Sequence, residues 1–477
     1  MTAIDEVRAY WRELEEEGCI RTDLPPRVEE EFYNPIECAP RGRIEEFRDK
    51  HLRHIVNWAY NHSEFYHRMW DEAGVKPEDI KGYDDLEKLP VWRKEQQRED
   101  EAKNPPFGSR AVKELIPHIP RLFRSTGTTG ESTMQLWLAE DFEAYVEAMC
   151  RHLYSGGCRA GGAWVDFFPQ DKGSLVPAVA AACTKNMGLL NYGEGIQGYF
   201  SDPEASLRFQ LKLGQFYKPL CTLMTPEFLG GLGQRFKAIG EEAPYNVVLP
   251  GGMPLTPRGS AKLQTLFKKA RKCINIMSSN EGDVTYGCPV AAEQGLEHLH
   301  ESEDLFVFEV VKPGTGERVA RGERGELILT TFSNHVAPFV RFSLEDVFEN
   351  SFTTEPCGCG RTNKRWLKLC PGRLKDIFKV RGKELLPWDV ELIIESIPDT
   401  TMIYQLVIDS WDMERLKIKV ETTRKLPDPS YEKEVKATLE EGLGFPVEVE
   451  VVSAGTILPP TGGYKVTKVI DNRPKRD

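Results

Sequence analysis

A short stretch between residues 124 and 133 concentrates glycine and hydroxyl residues in a way that no packed core requires. It holds two glycines and six serine or threonine residues. The backbone N–H groups and hydroxyls of such a loop can surround phosphate oxygens. A solvated turn has the same composition, so the loop alone leaves both interpretations open. The residues that would contact phosphate are Ser125, Thr126, Gly127, Thr128, Thr129 and Gly130.

Two acidic residues lie where they could bind the other parts of a nucleotide. Glu281 ends a predicted strand among small polar residues, and a carboxylate beside phosphates is a natural Mg²⁺ ligand. Asp346 lies in a partly apolar run, where a buried carboxylate needs hydrogen bonds, and the two hydroxyls of a ribose supply them. The alternatives are a solvated strand end for Glu281 and a turn-capping role for Asp346.

A glycine-containing segment follows a predicted strand, so its bare backbone can lie against a flat ring such as a nucleobase. A plain turn is the alternative interpretation. The segment consists of Gly251, Gly252, Met253 and Pro254.

Four residues nearer the C-terminus carry charge or conformational freedom. Arg373 can pair with phosphate or ribose oxygens, Lys375 lies where a hinge would turn, and Gly382 permits a ligand to approach the backbone. Lys465 follows a glycine-rich loop that could deliver it to a site. A charged linker and a solvated basic tail are the alternatives.

Composition excludes several classes of protein. The chain has 477 residues and a formal net charge of -12, from 62 basic and 74 acidic residues, so it lacks the basic footprint of a nucleic-acid-binding protein. Its 11 cysteines are scattered and odd in number, which favours reduced thiols over a disulfide framework. The segment Met1–Glu17 is charged and has no apolar core, so we expect no signal peptide. We expect a cytoplasmic protein that binds no membrane.

Hydrophobic periodicity predicts an α/β protein in which strands, loops and helices alternate. We expect a large multi-layer α/β N-terminal domain, residues 1–374, and a small α+β C-terminal domain, residues 375–477. The predicted helices are 43–70, 142–154, 207–216, 390–396 and 431–443, and the predicted strands are 164–168, 219–224, 247–250, 326–331, 403–409, 416–421 and 447–452.

In their order and separation, these segments resemble the adenylate-forming superfamily of acyl-CoA synthetases, and most closely its phenylacetate–CoA ligase branch. The resemblance covers nearly the whole chain. Further stretches are typical of that branch: Glu64-Phe65-Tyr66, Asp71–Val75, Leu89-Pro90, Pro106-Phe107-Gly108 and Cys357–Thr362.

The resemblance implies a role for each segment. The hydroxyl-rich loop would hold the ATP phosphates, and the partners would be a small carboxylic acid, ATP, Mg²⁺ and coenzyme A, with a homodimer as a candidate assembly. The implied roles are catalysis for Lys465 and Glu281, Mg²⁺ binding for Glu281, nucleotide binding for residues 251–254, Ser278, Ser279, Asn280, Asp346 and Arg373, a hinge at Lys375 and the coenzyme A tunnel at Gly382.

The chain departs from the family pattern at three places. Glu131 replaces a lysine that is common after the last glycine of the phosphate loop, and Tyr464 replaces a glycine before Lys465. Met277, Ser278 and Asn280 replace the usual residues before Glu281. The last change puts aromatic stacking on adenine, and substrate specificity, in doubt.

The residues expected to line the acyl pocket do not identify the acid. We expect this pocket at Phe168, Gln170, Gly251 and Ser278. Polar groups beside the expected substrate carboxylate favour a substrate that forms hydrogen bonds. A small branched or 2-hydroxy acid such as 2-hydroxyisobutyrate is therefore slightly favoured over phenylacetate or another aryl acid.

Two other functions stay open at this stage. The chain could load a carrier protein instead of coenzyme A, or it could be a non-catalytic nucleotide-binding regulator. Retention of Glu281, Asp346, Arg373 and Lys465 together argues against the regulator.

Some members of the branch carry a structural zinc ion, and this implies a candidate metal site here. Cys288, His298, Cys357 and Cys359 could form a closed four-ligand zinc site. Ordinary reduced cysteines and a solvated histidine are the alternative, and we consider it the better supported of the two.

Overall fold

The computed structural model describes residues 2–124, 133–169, 175–253, 255–294, 298–368, 372–458 and 465–474. Within these ranges, no helix is both long and apolar enough to cross a membrane.

The helices cover the faces of several sheets. Helix α5 is buried along nearly its whole length, as expected of a helix enclosed between layers. The helices are α1 (Ala3–Glu16), α2 (Arg41–His62), α3 (Glu64–Ala73), α4 (Lys94–Lys103), α5 (Ala139–Gly156), α6 (Leu175–Met187), α7 (Ile196–Ser201), α8 (Pro203–Phe216), α9 (Pro226–Ala238), α10 (Pro257–Leu266), α11 (Pro289–Gln294), α12 (Pro387–Ile394) and α13 (Pro429–Leu443).

The strands are short, and they form six hydrogen-bonded groups among the described residues. They are β1 (Arg121–Arg124), β2 (Met134–Trp137), β3 (Ala163–Asp166), β4 (Leu190–Gly193), β5 (Leu220–Met224), β6 (Val247–Pro250), β7 (Ile276–Ser278), β8 (Val284–Tyr286), β9 (Leu299–Glu301), β10 (Phe306–Val311), β11 (Arg324–Thr331), β12 (Phe342–Glu349), β13 (Phe352–Thr353), β14 (Arg365–Trp366), β15 (Gly372–Arg373), β16 (Phe378–Val380), β17 (Lys383–Leu385), β18 (Thr400–Ile408), β19 (Asp412–Met413), β20 (Leu416–Thr422), β21 (Val447–Ser453) and β22 (Val469–Asp471).

One sheet is entirely parallel, in the order β4-β3-β5-β6. Strands β3, β5 and β6 are buried along their whole length, because helices cover both faces of such a sheet. Ligands bind at the carboxyl ends of the strands in open parallel sheets. The segment that follows β6 lies at this edge.

Two antiparallel sheets lie beside the parallel one and carry other parts of the chain to the same region. The first has the order β13-β14-β9-β8-β7, and the second has the order β10-β11-β12-β15. Strand β7 leads to Glu281, and strands β12 and β15 carry Asp346 and Arg373.

The C-terminal part of the chain has a hydrophobic core of its own. This core begins at Phe378 and includes Leu406, Val420 and Val435. It fills the space between helices α12 and α13 and a sheet with the order β21-β20-β18-β22. The domain boundary at Lys375 stays a prediction, and the core is consistent with it.

Several predicted elements are confirmed, but the longest, the helix 43–70, is divided into α2 and α3 because the backbone of Ser63 is extended. The predicted helix 142–154 is part of α5, the predicted strand 247–250 is β6, and the predicted helix 431–443 is part of α13. Helix α1 was not predicted, because its charged residues mask a buried face. That face is formed by Ile4, Val7, Tyr10 and Leu14.

Candidate active site

Gly251 lies directly after β6, at the carboxyl edge of the parallel sheet. Its amide donates a hydrogen bond to the Met224 carbonyl at 3.0 Å. A Cβ added at Gly251 would lie 2.6 Å from Ile276 Cγ2, closer than any real side chain tolerates. A side chain at this position would therefore displace Ile276, so the backbone directly after β6 stays bare.

Lys465 of the C-terminal segment reaches the same edge. A Cβ added at Gly252 would lie 3.6 Å from Lys465 Cε and 3.8 Å from Lys465 Nζ. Burial and the charge of Arg373 lower the pKa of Lys465 to about 8, although Glu227 and Asp346 act in the opposite direction. A lysine that is poorly solvated and close to a bare backbone is suited to bind an anion.

Asp346 and Arg373 form a pair at the edge of the neighbouring sheet. They are register partners on β12 and β15, and Arg373 Nε lies 3.3 Å from Asp346 Oδ1. Burial raises the pKa of Asp346 to about 6, Arg373 and Lys465 lower it, and Glu281 raises it. The charges of all three residues therefore act on Asp346, which means that the four predicted nucleotide-site residues converge.

Glu281 is buried after β7. The Gln135 amide donates to Glu281 Oε1 at 3.4 Å, and Lys94 Nζ lies 3.7 Å from the same oxygen. A carboxylate at this position, close to Asp346, fits the oxygen ligands that Mg²⁺ prefers. Mg²⁺ binding by Glu281 stays a prediction.

A polar group that the sequence did not reveal lies next to the predicted acyl pocket. The Ser279 hydroxyl donates to Asp283 Oδ1, and the Tyr145 hydroxyl donates to the Ser279 carbonyl at 3.0 Å. Asp283 is fully buried, and within the described ranges its Oδ2 has no hydrogen-bond partner. Burial raises the pKa of Asp283 to about 8; the Ser279 hydrogen bond lowers it and Glu281 raises it.

The other predicted site residues occupy varied positions. Phe168 is buried after β3, and its amide donates to Asp166 Oδ1 at 3.0 Å. Ser278 is exposed at the end of β7, while Asn280 is half-buried. Met253 is half-buried at the edge that carries Gly251. Ser125, Thr126, Gly127, Thr128, Thr129, Gly130, Gln170 and Pro254 lie outside the described residues.

Lys375 and Gly382 lie at the start of the C-terminal part. Lys375 is exposed in a short 3-10 helix, and its carbonyl accepts a hydrogen bond of 2.6 Å from Arg473. Gly382 is exposed in the turn between β16 and β17, with a φ of 78°, and an added Cβ would meet no atom within 4 Å. Both positions suit their predicted roles, which remain predictions.

Three cysteines and a histidine cluster near strands β8 and β9. Ligand atoms of Cys288, His300, Cys357 and Cys359 all lie within 4.8 Å of one another. Asn363 Oδ1 lies 2.9 Å from His300 Nδ1, which leaves Nε2 directed to the Cys359 sulfur at 3.6 Å. Such second-layer contacts orient metal-binding imidazoles.

The histidine in this cluster is His300, whereas the sequence analysis named His298 as the candidate zinc ligand. His298 Nε2 nevertheless lies 3.3 Å from Cys288 Sγ and 3.5 Å from Cys357 Sγ. The two histidines are two residues apart in and beside β9, so both face the same side of the strand. Sequence spacing alone could not distinguish between them.

The chain is similar to known proteins along most of its length. Residues 382–473 match the family model described as the AMP-binding enzyme C-terminal domain. The phenylacetate–coenzyme A ligase of Thermus thermophilus is 27% identical over 412 residues, covering 82% of this chain and 84% of that protein.

Two solved structures of a 2-hydroxyisobutyryl-CoA ligase have the same fold. The complex with 2-HIB-AMP in the postadenylation state has a TM-score of 0.82 at 22% identity, and the match covers 94% of each chain. The complex with 2-HIB-AMP and CoA in the thioesterification state has a TM-score of 0.66 at 22% identity, and that match also covers 94% of each chain. The two parts of this chain are therefore arranged more like the former. Together these matches support placing the chain in the adenylate-forming superfamily, in the branch that contains the phenylacetate–coenzyme A ligases.

Proposed function

We propose that this AMP-forming CoA ligase activates a small hydroxylated carboxylic acid with ATP and transfers the acyl group to coenzyme A. The observation that carries the proposal is the convergence of Lys465 with Asp346 and Arg373 at the bare backbone of Gly252. A cation, a paired carboxylate and an uncovered backbone together suit a nucleotide with a reacting phosphate.

In the first half-reaction, the substrate carboxylate attacks the α-phosphorus of ATP and pyrophosphate leaves. The groups of this chain act by positioning and by offsetting negative charge. Asp346 accepts hydrogen bonds from the ribose hydroxyls, Arg373 holds Asp346 in place, and Lys465 offsets the charge that develops on the phosphates. Glu281 would hold Mg²⁺, which supplies further charge neutralisation when bound.

In the second half-reaction, the thiol of coenzyme A attacks the acyl carbon and AMP leaves. Lys465 has no part in this step. The C-terminal part would rotate about Lys375 and bring the turn at Gly382 toward the acyl-adenylate. Such a rotation is a hinge motion of the kind that often limits turnover.

The preference for a hydroxylated acid rests on Asp283. With its pKa raised to about 8, the carboxyl is largely neutral at pH 7, so it suits a hydroxyl group better than an ammonium group. A site built to hydrogen-bond a substrate hydroxyl strongly rejects an analogue that lacks it. Ser279 donates to Asp283 Oδ1, and Oδ2 is buried without a hydrogen-bond partner among the described residues, so a substrate hydroxyl that reached Oδ2 would satisfy it. An aryl acid such as phenylacetate is the second candidate.

A structural zinc ion held by Cys288, Cys357, Cys359 and His300 is also part of the proposal. Three thiols and one imidazole at these separations match the Cys₃His sites of structural zinc. The ion would tie the segment after β8 to the turn at 357–360. It would take no part in catalysis.

The test is pyrophosphate release from Mg-ATP over a panel of acids, with and without coenzyme A. The panel pairs each 2-hydroxy acid with its deoxy analogue and includes phenylacetate and benzoate. We expect sustained, coenzyme A-dependent turnover with a short 2-hydroxy acid and much slower turnover with its analogue. Release that stalls with coenzyme A present would favour a carrier protein as acceptor. No release with any acid would favour a nucleotide-binding regulator.

A further inference from the structure

Lys468 lies three residues after Lys465 and is buried between two carboxylates. It is 8% exposed, and its Nζ lies 3.0 Å from Glu227 Oε1 and 2.7 Å from Glu391 Oε1. Burial lowers the pKa of Lys468, but Glu391 and Glu227 raise it by more, so the pKa lies above its usual value. The lysine is therefore charged, and it is held by ion pairs on two sides.

The two carboxylates belong to different parts of the chain. Glu227 is the second residue of α9, directly after β5 of the parallel sheet. Glu391 lies in α12 of the C-terminal part, and it also accepts a hydrogen bond of 3.0 Å from the Tyr404 hydroxyl. The backbone of Lys468 is fixed in the C-terminal part as well, because its carbonyl accepts from the Leu406 amide at 2.8 Å. Its ion pair with Glu227 is thus a bond between the two parts.

Helix α10 and the residue that precedes it also contact the C-terminal part. Lys262 Nζ donates to Thr400 Oγ1 at 2.9 Å, and the Arg258 guanidinium donates to the Leu392 carbonyl at 2.8 Å. The Thr256 hydroxyl donates to the Glu395 carboxyl. Each of these contacts pairs an ionisable side chain with an uncharged group, whereas the Lys468–Glu227 pair joins two opposite charges. They support the docking, but they do not substitute for the ion pair.

We propose that the Lys468–Glu227 pair is a latch that holds the C-terminal part in the orientation that presents Lys465 to Gly252. The role of Lys465 in this inference rests on the proposed function, whereas the contact between the two parts of the chain does not. Lys468 is a positioning residue: it contacts no reacting atom, and it fixes the short segment that carries Lys465. The latch must open before the second half-reaction, and it closes again for the next adenylation.

Glu227 is the better position for a test, because Glu227→Gln leaves Lys468 paired with Glu391. Lys468→Met would instead leave two buried carboxylates facing each other, which is destabilising in itself. Glu242→Gln is a matched control, since it removes the carboxylate of an exposed ion pair with Lys269 that lies within the N-terminal part.

The first readout is domain orientation, measured without substrate. Spin labels on non-natural residues at the exposed positions Lys237 and Lys433 avoid the 11 cysteines of the chain. We expect one narrow distance distribution in the parent and in E242Q, and a broadened or shifted one in E227Q. Lys465→Ala alone should keep the narrow distribution, because the latch and not Lys465 fixes the orientation. An unchanged distribution in E227Q would overturn the proposal.

The second readout compares the two half-reactions. E227Q should slow acid-dependent ATP–pyrophosphate exchange by about tenfold, as expected for the loss of one buried charge contact across an interface. It should leave thioester formation from preformed acyl-adenylate unchanged or faster. Equal slowing of both steps would indicate a structural defect and contradict the latch. If the parent shows no exchange with any acid while E227Q still alters the distance, the proposed function fails and the latch stands.

Discussion

Asp346 and Arg373 are joined twice, as register partners on adjacent antiparallel strands and by an ion pair of 3.3 Å between their side chains. The backbone pairing places the arginine, and the arginine in turn orients the carboxylate. Asp346 therefore presents its remaining acceptor positions in a fixed direction, which is what recognition of two adjacent ribose hydroxyls requires.

Asp346→Asn should raise the KM for ATP by about tenfold and leave the KM for the acid nearly unchanged, because hydrogen bonds to a charged acceptor are stronger than those to a neutral one. Steady-state kinetics with each substrate varied in turn measure the effect. Glu349→Gln, a substitution near the end of the same strand, serves as the control. An equal change in both KM values would count against ribose binding by Asp346.

Lys465→Ala should slow adenylation by at least about 100-fold, the scale of losing one group that stabilises transition-state charge. The conversion of preformed acyl-adenylate and coenzyme A to thioester should be spared. Rapid-quench assays of each half-reaction make the comparison. Parallel losses in the two steps would remove Lys465 from its proposed role.

The adenylation step should have a bell-shaped pH dependence in kcat/KM for ATP. Asp346, with its pKa raised to about 6, loses its charge as the pH falls, so activity should decline on the acid side. Lys465, whose pKa is lowered to about 8 by burial and by the charge of Arg373, loses its charge as the pH rises, so activity should also decline on the alkaline side. Asp346→Asn should remove the acid limb, and a profile that keeps this limb would contradict the assignment.

Asp283→Leu should reverse the substrate preference by removing the buried carboxyl that would bind a hydroxyl group. We expect kcat/KM to fall for a 2-hydroxy acid by about 100-fold and to rise for its deoxy analogue, in line with discrimination by buried polar groups. Competition between the two acids measures the ratio directly. A ratio that matches the parent's would exclude Asp283 from substrate recognition.

The cysteine cluster should hold about one zinc ion per chain, as closed tetrahedral sites do. Cys359→Ser should reduce the metal content measured by elemental analysis and lower the melting temperature. Cys38→Ser is the control, because Cys38 is exposed and lies outside the cluster. Full zinc content in the Cys359 variant, or none in the parent, would refute the site.

The sequence was sufficient for the parts of the molecule that depend on local pattern. The strand at 247–250 and the helices around 142–154 and 431–443 follow from apolar periodicity. Glu281, Asp346, Arg373 and Lys465 lie in short segments whose residue types indicate a nucleotide site. The four are brought together by separate sheets and a C-terminal segment, so only the resemblance could suggest that they meet.

The residues that sequence reasoning missed are those whose role depends on partners far along the chain. Asp283 follows a recognised segment but looks like an ordinary acid until its burial is known. Lys468 was within a segment of interest, yet its partner Glu227 lies 241 positions earlier. No periodicity or spacing connects such a pair.

The close contact at Gly251 limits how this enzyme's selectivity can change. With Ile276 Cγ2 only 2.6 Å from where a Cβ would sit, a larger residue would displace β7 and the segment leading to Glu281. Mutational libraries that aim at new acids should therefore keep residue 251 fixed and diversify Ser278, Asn280 and Asp283. By the same reasoning, we expect acid preference to change through substitutions in the segment after β7, while the glycine directly after β6 is retained.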